Sequence, residues 1–269
     1  MRSLKTKKQY CNNLYSNPHG SGVIIWLSDD PDMHDLKPLL QAAQQCAEQA
    51  RQPSELLHFV VVQHGWGASG FSRSFFLENK TISTLVINLA SQENGGTADW
   101  LVQEIDAMQP IFREVFIDAT GQREEYCLRF VKAPLSPTRA LIDKSDVVLV
   151  TGGGKGISAE CGYQLARRTG CALLIIGRSA PQNSIELDNN LKRLHKAKLR
   201  ISYQQADVTN AAEVTTAIVT GITELGSPVT GIIHGAGVNH PCIVVNLTPA
   251  NIKTTISPKV DGIRNLLAA

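Results

Sequence analysis

The chain has 269 residues, 43% hydrophobic and 19% charged, which is the balance of a globular protein with one large core or two smaller ones and excludes a disordered, collagen-like or coiled-coil chain. Lysine plus arginine number 26 against 24 aspartates and glutamates, a net charge of +2, so no global field favours nucleic acid or an anionic membrane. With no apolar run near the ~18–20 residues of a membrane span and no signal-peptide core, the expected location is the cytoplasm.

Residues 1–20, with Arg2, Lys5, Lys7 and Lys8 in a polar stretch, read as a flexible basic tail, a solvated terminus more than a docking arm. From there short β-branched runs alternate with amphipathic stretches, the pattern of parallel sheets covered by helices. The first series, over 21–132, predicts strands at 23–27, 56–62, 84–89 and 114–117, separated by helices at 36–50, 71–77 and 98–108. A polar turn at 120–123 and a last strand at 126–130 close it. A linker is expected over 133–145, because Pro134 and Pro137 break helices and central strands.

The second series, 146–269, opens with the apolar strand 147–150 and a helix carrying Ile157, Cys161 and Leu165 on one face. Strands at 172–176, 199–205 and 229–234 follow, alternating with helices at 185–196 and 211–225. Ile252, Ile256, Val260, Ile263 and Leu267 mark a buried helical face. The pairs Thr248-Pro249 and Ser257-Pro258 predict two short helices there, the second starting at Pro258. The fold class is therefore α/β, with two tandem Rossmann-like, doubly wound parallel sheets.

Directly after strand 147–150 stands Thr151-Gly152-Gly153-Gly154-Lys155-Gly156-Ile157, opening a helix. Glycine lets a backbone approach a pyrophosphate, and the helix N-terminus favours the anion; a ligand-free glycine turn is the bland alternative. Lys155 is followed by Gly156, which excludes a P-loop. The next strand ends in Gly177-Arg178-Ser179, where a guanidinium pairs with the 2′-phosphate of NADP and an acidic residue would instead select NAD. Asp207 and Val208 after the third strand are placed for the adenine edge. His234, Gly235, Ala236 and Gly237 after the fourth leave room for ribose and nicotinamide. A second match to the dinucleotide pattern, Gly65-Trp66-Gly67-Ala68-Ser69-Gly70, has no charged residue closing the following strand and reads as structural. Six scattered cysteines without a CxxC pair, and seven histidines without ligand spacing, predict no metal.

TGGGKGIS, GRS, ADVT, HGAGV and Ser257-Pro258-Lys259-Val260-Asp261-Gly262 together resemble the ketoreductase domain of modular polyketide and polyunsaturated fatty acid synthases, in the short-chain dehydrogenase/reductase superfamily. Gly70-Phe71-Ser72-Arg73 through Leu77-Glu78 resembles the non-catalytic structural half of such domains. The resemblance implies NADPH-dependent reduction of a β-ketoacyl thioester on an acyl carrier protein, beside neighbouring synthase domains, with Lys259 as the catalytic lysine. It also implies a serine and a tyrosine downstream of the lysine helix. None of Tyr10, Tyr15, Tyr126, Tyr163 and Tyr203 stands in a matching context, and the sequence ends at Ala269. The expectation is a nucleotide-binding fragment inactive alone, the alternative a non-catalytic NADP-binding or scaffold module. Ser158 replaces the family's third glycine, and Asn239-His240-Pro241 lacks the paired aspartates of one stereochemical class, leaving product chirality open.

Overall fold

A computed structural model describes residues 13–17, 20–27, 33–51, 57–64, 67–90, 96–132 and 141–269. Arg2, Lys5, Lys7, Lys8, Gly65, Trp66 and the linker prolines lie outside them. The chain divides into two compact units, 1–132 with 242–249 and 133–241 with 250–269. Residues 242–249 thus cluster with the first unit, although the sequence places them within the second series. Among the described residues no helix is long and apolar enough to cross a membrane.

In the first unit the elements run β1 (Asn13–Asn17), β2 (Gly20–Trp26), α1 (Met33–Gln49), β3 (Leu57–Gln63), α2 (Ala68–Glu78), β4 (Ile82–Leu89), α3 (Thr97–Asp106), β5 (Phe112–Ile117) and β6 (Arg123–Glu125). They form one sheet in sequential order, β2 to β5 parallel and the two edge strands antiparallel. Every residue of β3 and β4 is buried, as expected of parallel strands covered on both faces. Val60, Val62, Leu85 and Ile87 pack against Trp100, Leu101 and Ile105 of α3. Phe59, on the opposite face by strand alternation, meets the Phe75 ring of α2 at 4.6 Å.

Two expectations fail here. Part of the segment read as a tail forms β1, which pairs with β2 from Asn13↔Ile24 to Asn17↔Gly20. Backbone pairing at a sheet edge needs no apolar signal, so composition alone did not mark it. The last strand is β6 and not 126–130. Asp118 Oδ1 accepts from the Thr120 and Gln122 amides at 2.8 and 2.9 Å, and this tight turn fixes the first pair at Ile117↔Arg123. The ladder is spent by Val115↔Glu125, leaving Leu128 and Phe130 fully exposed.

The second unit contains β7 (Val147–Thr151), α4 (Gly156–Thr169), β8 (Ala172–Gly177), α5 (Ile185–Lys196), β9 (Ile201–Gln205), α6 (Ala211–Leu225), β10 (Gly231–His234) and most of α7 (Pro249–Ala268). Its four parallel strands lie in the order β10-β7-β8-β9, so the chain winds one way from β7 and returns on its other side. Val147, Leu149, Leu174 and Ile176 pack with Val214 and Ile218 of α6 and Leu266 of α7. On the other face Val148, Val150, Leu173 and Ile175 pack with Ala166 of α4 and Leu194 of α5. Each such Val, Leu or Ile side chain, fully buried, contributes about 1.5–3 kcal/mol. Ser184 and Asn210 cap α5 and α6 by accepting N–H groups of the first turn.

Helix faces and ends depart from the periodicity. The buried face of α4 is Ala159, Gly162 and Ala166, whereas Ile157 and Cys161 are exposed; small residues let the helix lie close over β7 and β8. α7 is one helix with Pro258 inside it. The proline removes a single N–H bond, while Gly262 and Leu266 are buried beyond it and the Pro258 carbonyl gains the His234 ring at 3.0 Å. Val260 and Leu267, expected on the buried face, are exposed.

Candidate functional site

The reversal of strand order beside β7 opens a crevice at the carboxyl ends of the strands, where open α/β sheets take ligands. A cavity of about 670 Å³ lies there. It is lined by Gly152, Gly154, Lys155, Gly156 and Ile157 from the loop between β7 and α4, and by Gly177, Arg178 and Ser179 after β8. Asp207 and Val208 after β9, and Gly235, Ala236 and Gly237 after β10, complete this part of the wall.

The glycine loop has physical reasons at two points. Gly152 has φ +65°, and a Cβ there would stand 2.8 Å from the Gly235 carbonyl oxygen, so a side chain is excluded by conformation and by backbone. At Gly235 a Cβ would fall 2.0 Å from Ser158 Oγ. The missing side chain on the β10 loop therefore accommodates the serine at the position expected to hold a third glycine. Gly156, Ile157 and Ser158 present the first turn of α4 to the cavity, where helical N–H groups lack intrahelical partners.

Arg178 is exposed, and among the described residues no carboxylate pairs with its guanidinium. Its turn is held in place by neighbours. Tyr203 donates from its hydroxyl to the Ser179 carbonyl at 2.6 Å, Gln205 donates to the Arg178 carbonyl at 3.0 Å, and Lys155 Nζ donates to Ser179 Oγ at 3.0 Å. Burial pushes the Tyr203 phenol above its ordinary pKa, which keeps it a donor. Lys155 and Arg178 bring positive charge to this end of the cavity, and Glu186 and Asp207 balance it.

Thr151, Gly153 and His234, expected among the ligand-binding residues, do not line the cavity but stand behind its wall. Ala236 N–H donates to Thr151 Oγ1 at 3.2 Å, and Thr151 Oγ1 lies 2.8 Å from His234 Nδ1. Because the Pro258 carbonyl only accepts, the His234 proton belongs on Nε2 and Thr151 donates to Nδ1. The chain of bonds ties β7, β10 and α7 together. A Cβ on Gly153 would press on Val150 at 2.6 Å, so this glycine serves packing. Lys259 lies at the edge of the site, its ammonium donating to the Val238 carbonyl at 3.3 Å.

Sequence reasoning passed over Glu186, Leu187, Tyr203, Val238 and Pro258 in the lining. Tyr203 was legible from alternation, since it shares a strand face with Ile201. Glu186 lies in the first turn of α5, where an acidic residue already has a reason to stand. Among the described residues no group of three or more His, Cys, Asp or Glu is arranged to hold a metal.

Comparison with known proteins finds relatives in sequence and in fold. Polyketide synthase PksN of Bacillus subtilis is 24% identical over 197 residues, 73% of this chain and 4% of PksN. A polyunsaturated fatty acid synthase component of Thraustochytrium is 27% identical over 217 residues, 62% of this chain and 8% of that protein. The chain thus spans a small part of the relatives it matches. A ketoreductase from the first module of phoslactomycin biosynthesis in Streptomyces superposes with a TM-score of 0.73 at 19% identity, covering 91% of this chain and 57% of the other. A ketoreductase domain from the bacillaene assembly line gives 0.69 at 20%, covering 87% and 56%. These two show a shared fold. The KR domain family model matches residues 146–269, the second of the two series and a little under half of the chain.

Proposed function

We propose that residues 146–269 bind NADPH and serve the reduction of a β-ketoacyl thioester, carried on an acyl carrier protein, within a polyketide or fatty acid synthase. The match of residues 146–269 to the KR family model supports ketoreduction with a nicotinamide coenzyme; the choice of NADPH, the carrier-bound substrate and the acyl carrier protein as partner are our reading. The observation that carries it is the single cavity joining the Gly152–Gly156 loop, Arg178 and the Gly235–Gly237 segment.

The residues present fit the coenzyme. Side chains are sterically excluded at Gly152 and Gly235 because the loops after β7 and β10 pack against each other there, which sets both loops side by side in the cavity wall. The first turn of α4 would hold the diphosphate, Arg178 the 2′-phosphate, Asp207 and Val208 the adenine, and Ala236 with Gly237 the nicotinamide ribose. Bound there, the coenzyme supplies a hydride to the ketone carbon. Lys259, whose ammonium is steered by the Val238 carbonyl, would orient the ribose and lower the cost of proton transfer to the forming alkoxide. Among the described residues the hydroxyl of Tyr203 is committed to the Ser179 and Gly177 carbonyls, so the proton is not assigned to it. A scaffold role without coenzyme is the second reading.

Titration of the chain with NADPH, followed by nicotinamide fluorescence, separates the two. Saturable binding at one site is expected. A chain that leaves the fluorescence unchanged at millimolar NADPH would place it with the scaffolds.

A further inference from the structure

Besides the glycine loop, the cavity contains an anion supplied by the protein itself. Glu186, exposed on the first turn of α5, reaches back so that its Oε1 accepts from the Gly156 amide at 2.9 Å. That amide opens α4, and the carboxylate lines the same cavity as Lys155 and Arg178. Glu186 lies 30 residues along the chain from the amide it occupies, so the bond is tertiary and not a local cap. α5 also holds the loop independently of it: Asn190 Nδ2 donates to the Gly154 carbonyl at 3.0 Å, and Leu187 fills the space above Gly154. The loop therefore does not depend on the carboxylate for its shape.

Resting on the NADPH reading, we propose that Glu186 is a built-in competitor for the diphosphate subsite, an anionic plug on the Gly156 amide that an incoming diphosphate displaces. An amide that donates to a carboxylate cannot donate with full strength to a phosphate oxygen. Two anions within about 4 Å of each other cost several-fold in affinity even in a water-like dielectric. The plug acts on ligands that carry a diphosphate and is indifferent to those that reach only the Arg178 end. It thereby sets how tightly the site holds coenzyme: its swing to solvent, which the exposure of Glu186 permits, is part of every binding event, and its return favours release.

The test compares wild type, Glu186→Gln and Glu186→Ala by calorimetric titration with two probes. NADPH contains the diphosphate; adenosine 2′-phosphate reports on the Arg178 end alone. Gln keeps an oxygen for the Gly156 amide while removing the charge, and Ala clears the amide. Both variants are expected to bind NADPH about five-fold or more tightly than wild type, with adenosine 2′-phosphate changed by less than about two-fold. Equal or weaker NADPH binding by both variants, with adenosine 2′-phosphate still bound, would overturn the plug and leave the coenzyme reading standing. Equal tightening of both probes would also overturn it, because a general change of field would then explain the gain. Failure of every chain to bind either probe would overturn the coenzyme reading, and the plug with it.

Discussion

The turn after β3 and the turn after β7 both follow wholly buried parallel strands and both are rich in glycine, yet at the described glycines only the second turn excludes a side chain. At Gly67 and Gly70 a Cβ would meet nothing within 4 Å. The start of α2 is closed by side chains instead: Gln63 Oε1 accepts from the Ala68 amide at 3.1 Å, and Gln63, Asn88, Ser69 and Glu114 bond to one another. At Gly152 the backbone is left-handed and the nearest neighbour is another loop's carbonyl. The sheet orders differ in the same sense. The first runs sequentially, whereas the second reverses beside β7 and so opens a crevice. The spacing of glycines in a sequence does not distinguish a turn with room for a side chain from one where conformation and a neighbouring loop exclude it.

Substitutions at the two turns put that contrast to the test. Gly152→Ala is expected to cost about 2 kcal/mol or more of stability, from strain at positive φ and the clash with Gly235, and to abolish NADPH binding. Gly70→Ala, inside α2 and with open space, is expected to leave the chain unchanged or up to about 1 kcal/mol more stable. Urea denaturation measures both, and similar costs at the two glycines would dissolve the distinction.

The side-chain network of the first turn gives a smaller effect. Asn88→Ala removes the bond that the buried Gln63 amide donates to Asn88, leaving that amide its Ser69 partner, and a bond to the Val115 carbonyl, at an expected cost of about 1–3 kcal/mol. NADPH affinity should stay as it was. A fall in affinity would mean that this network serves the ligand after all.

The smallest effect concerns Cys46, whose thiol burial pushes from 9.0 up to about 12. The folded chain keeps a proton there that the unfolded chain releases, so this contribution is intact below pH 9 and lost progressively as pH rises from 9 to about 12. Relative to Cys46→Ala, the wild type should lose about 1 kcal/mol of unfolding free energy between pH 8 and pH 10. Parallel pH profiles for the two proteins would contradict it.

The sequence carried the strands and the site loops well, because fully buried parallel strands such as Val147–Thr151 and Ala172–Gly177 read as unbroken apolar runs. It also carried the place of Arg178, at a strand end in the cavity wall. It misled where tertiary contacts overrule local patterns. Ile157 and Cys161 follow a helical period, yet the small residues Ala159 and Gly162 face the sheet. Pro258 looks like a helix start but lies within one helix, held by the burial of Gly262 and Leu266 beyond it and by the His234 ring on its carbonyl. Thr151 and His234 show the same limit within the site, since only the fold reveals that they bond to each other behind its wall. Glu186 was illegible for a related reason: its partner amide lies on another element.

In the function proposed above, the crevice beside β7 takes a dinucleotide and Arg178 selects its phosphorylated form. Paired titrations of wild type and Arg178→Ala with NADPH and NADH test it most directly. The wild type should prefer NADPH by about ten-fold or more, and the variant should bind the two about equally, with NADH affinity little changed. Equal affinities in the wild type, or a preference that survives the loss of Arg178, would contradict it.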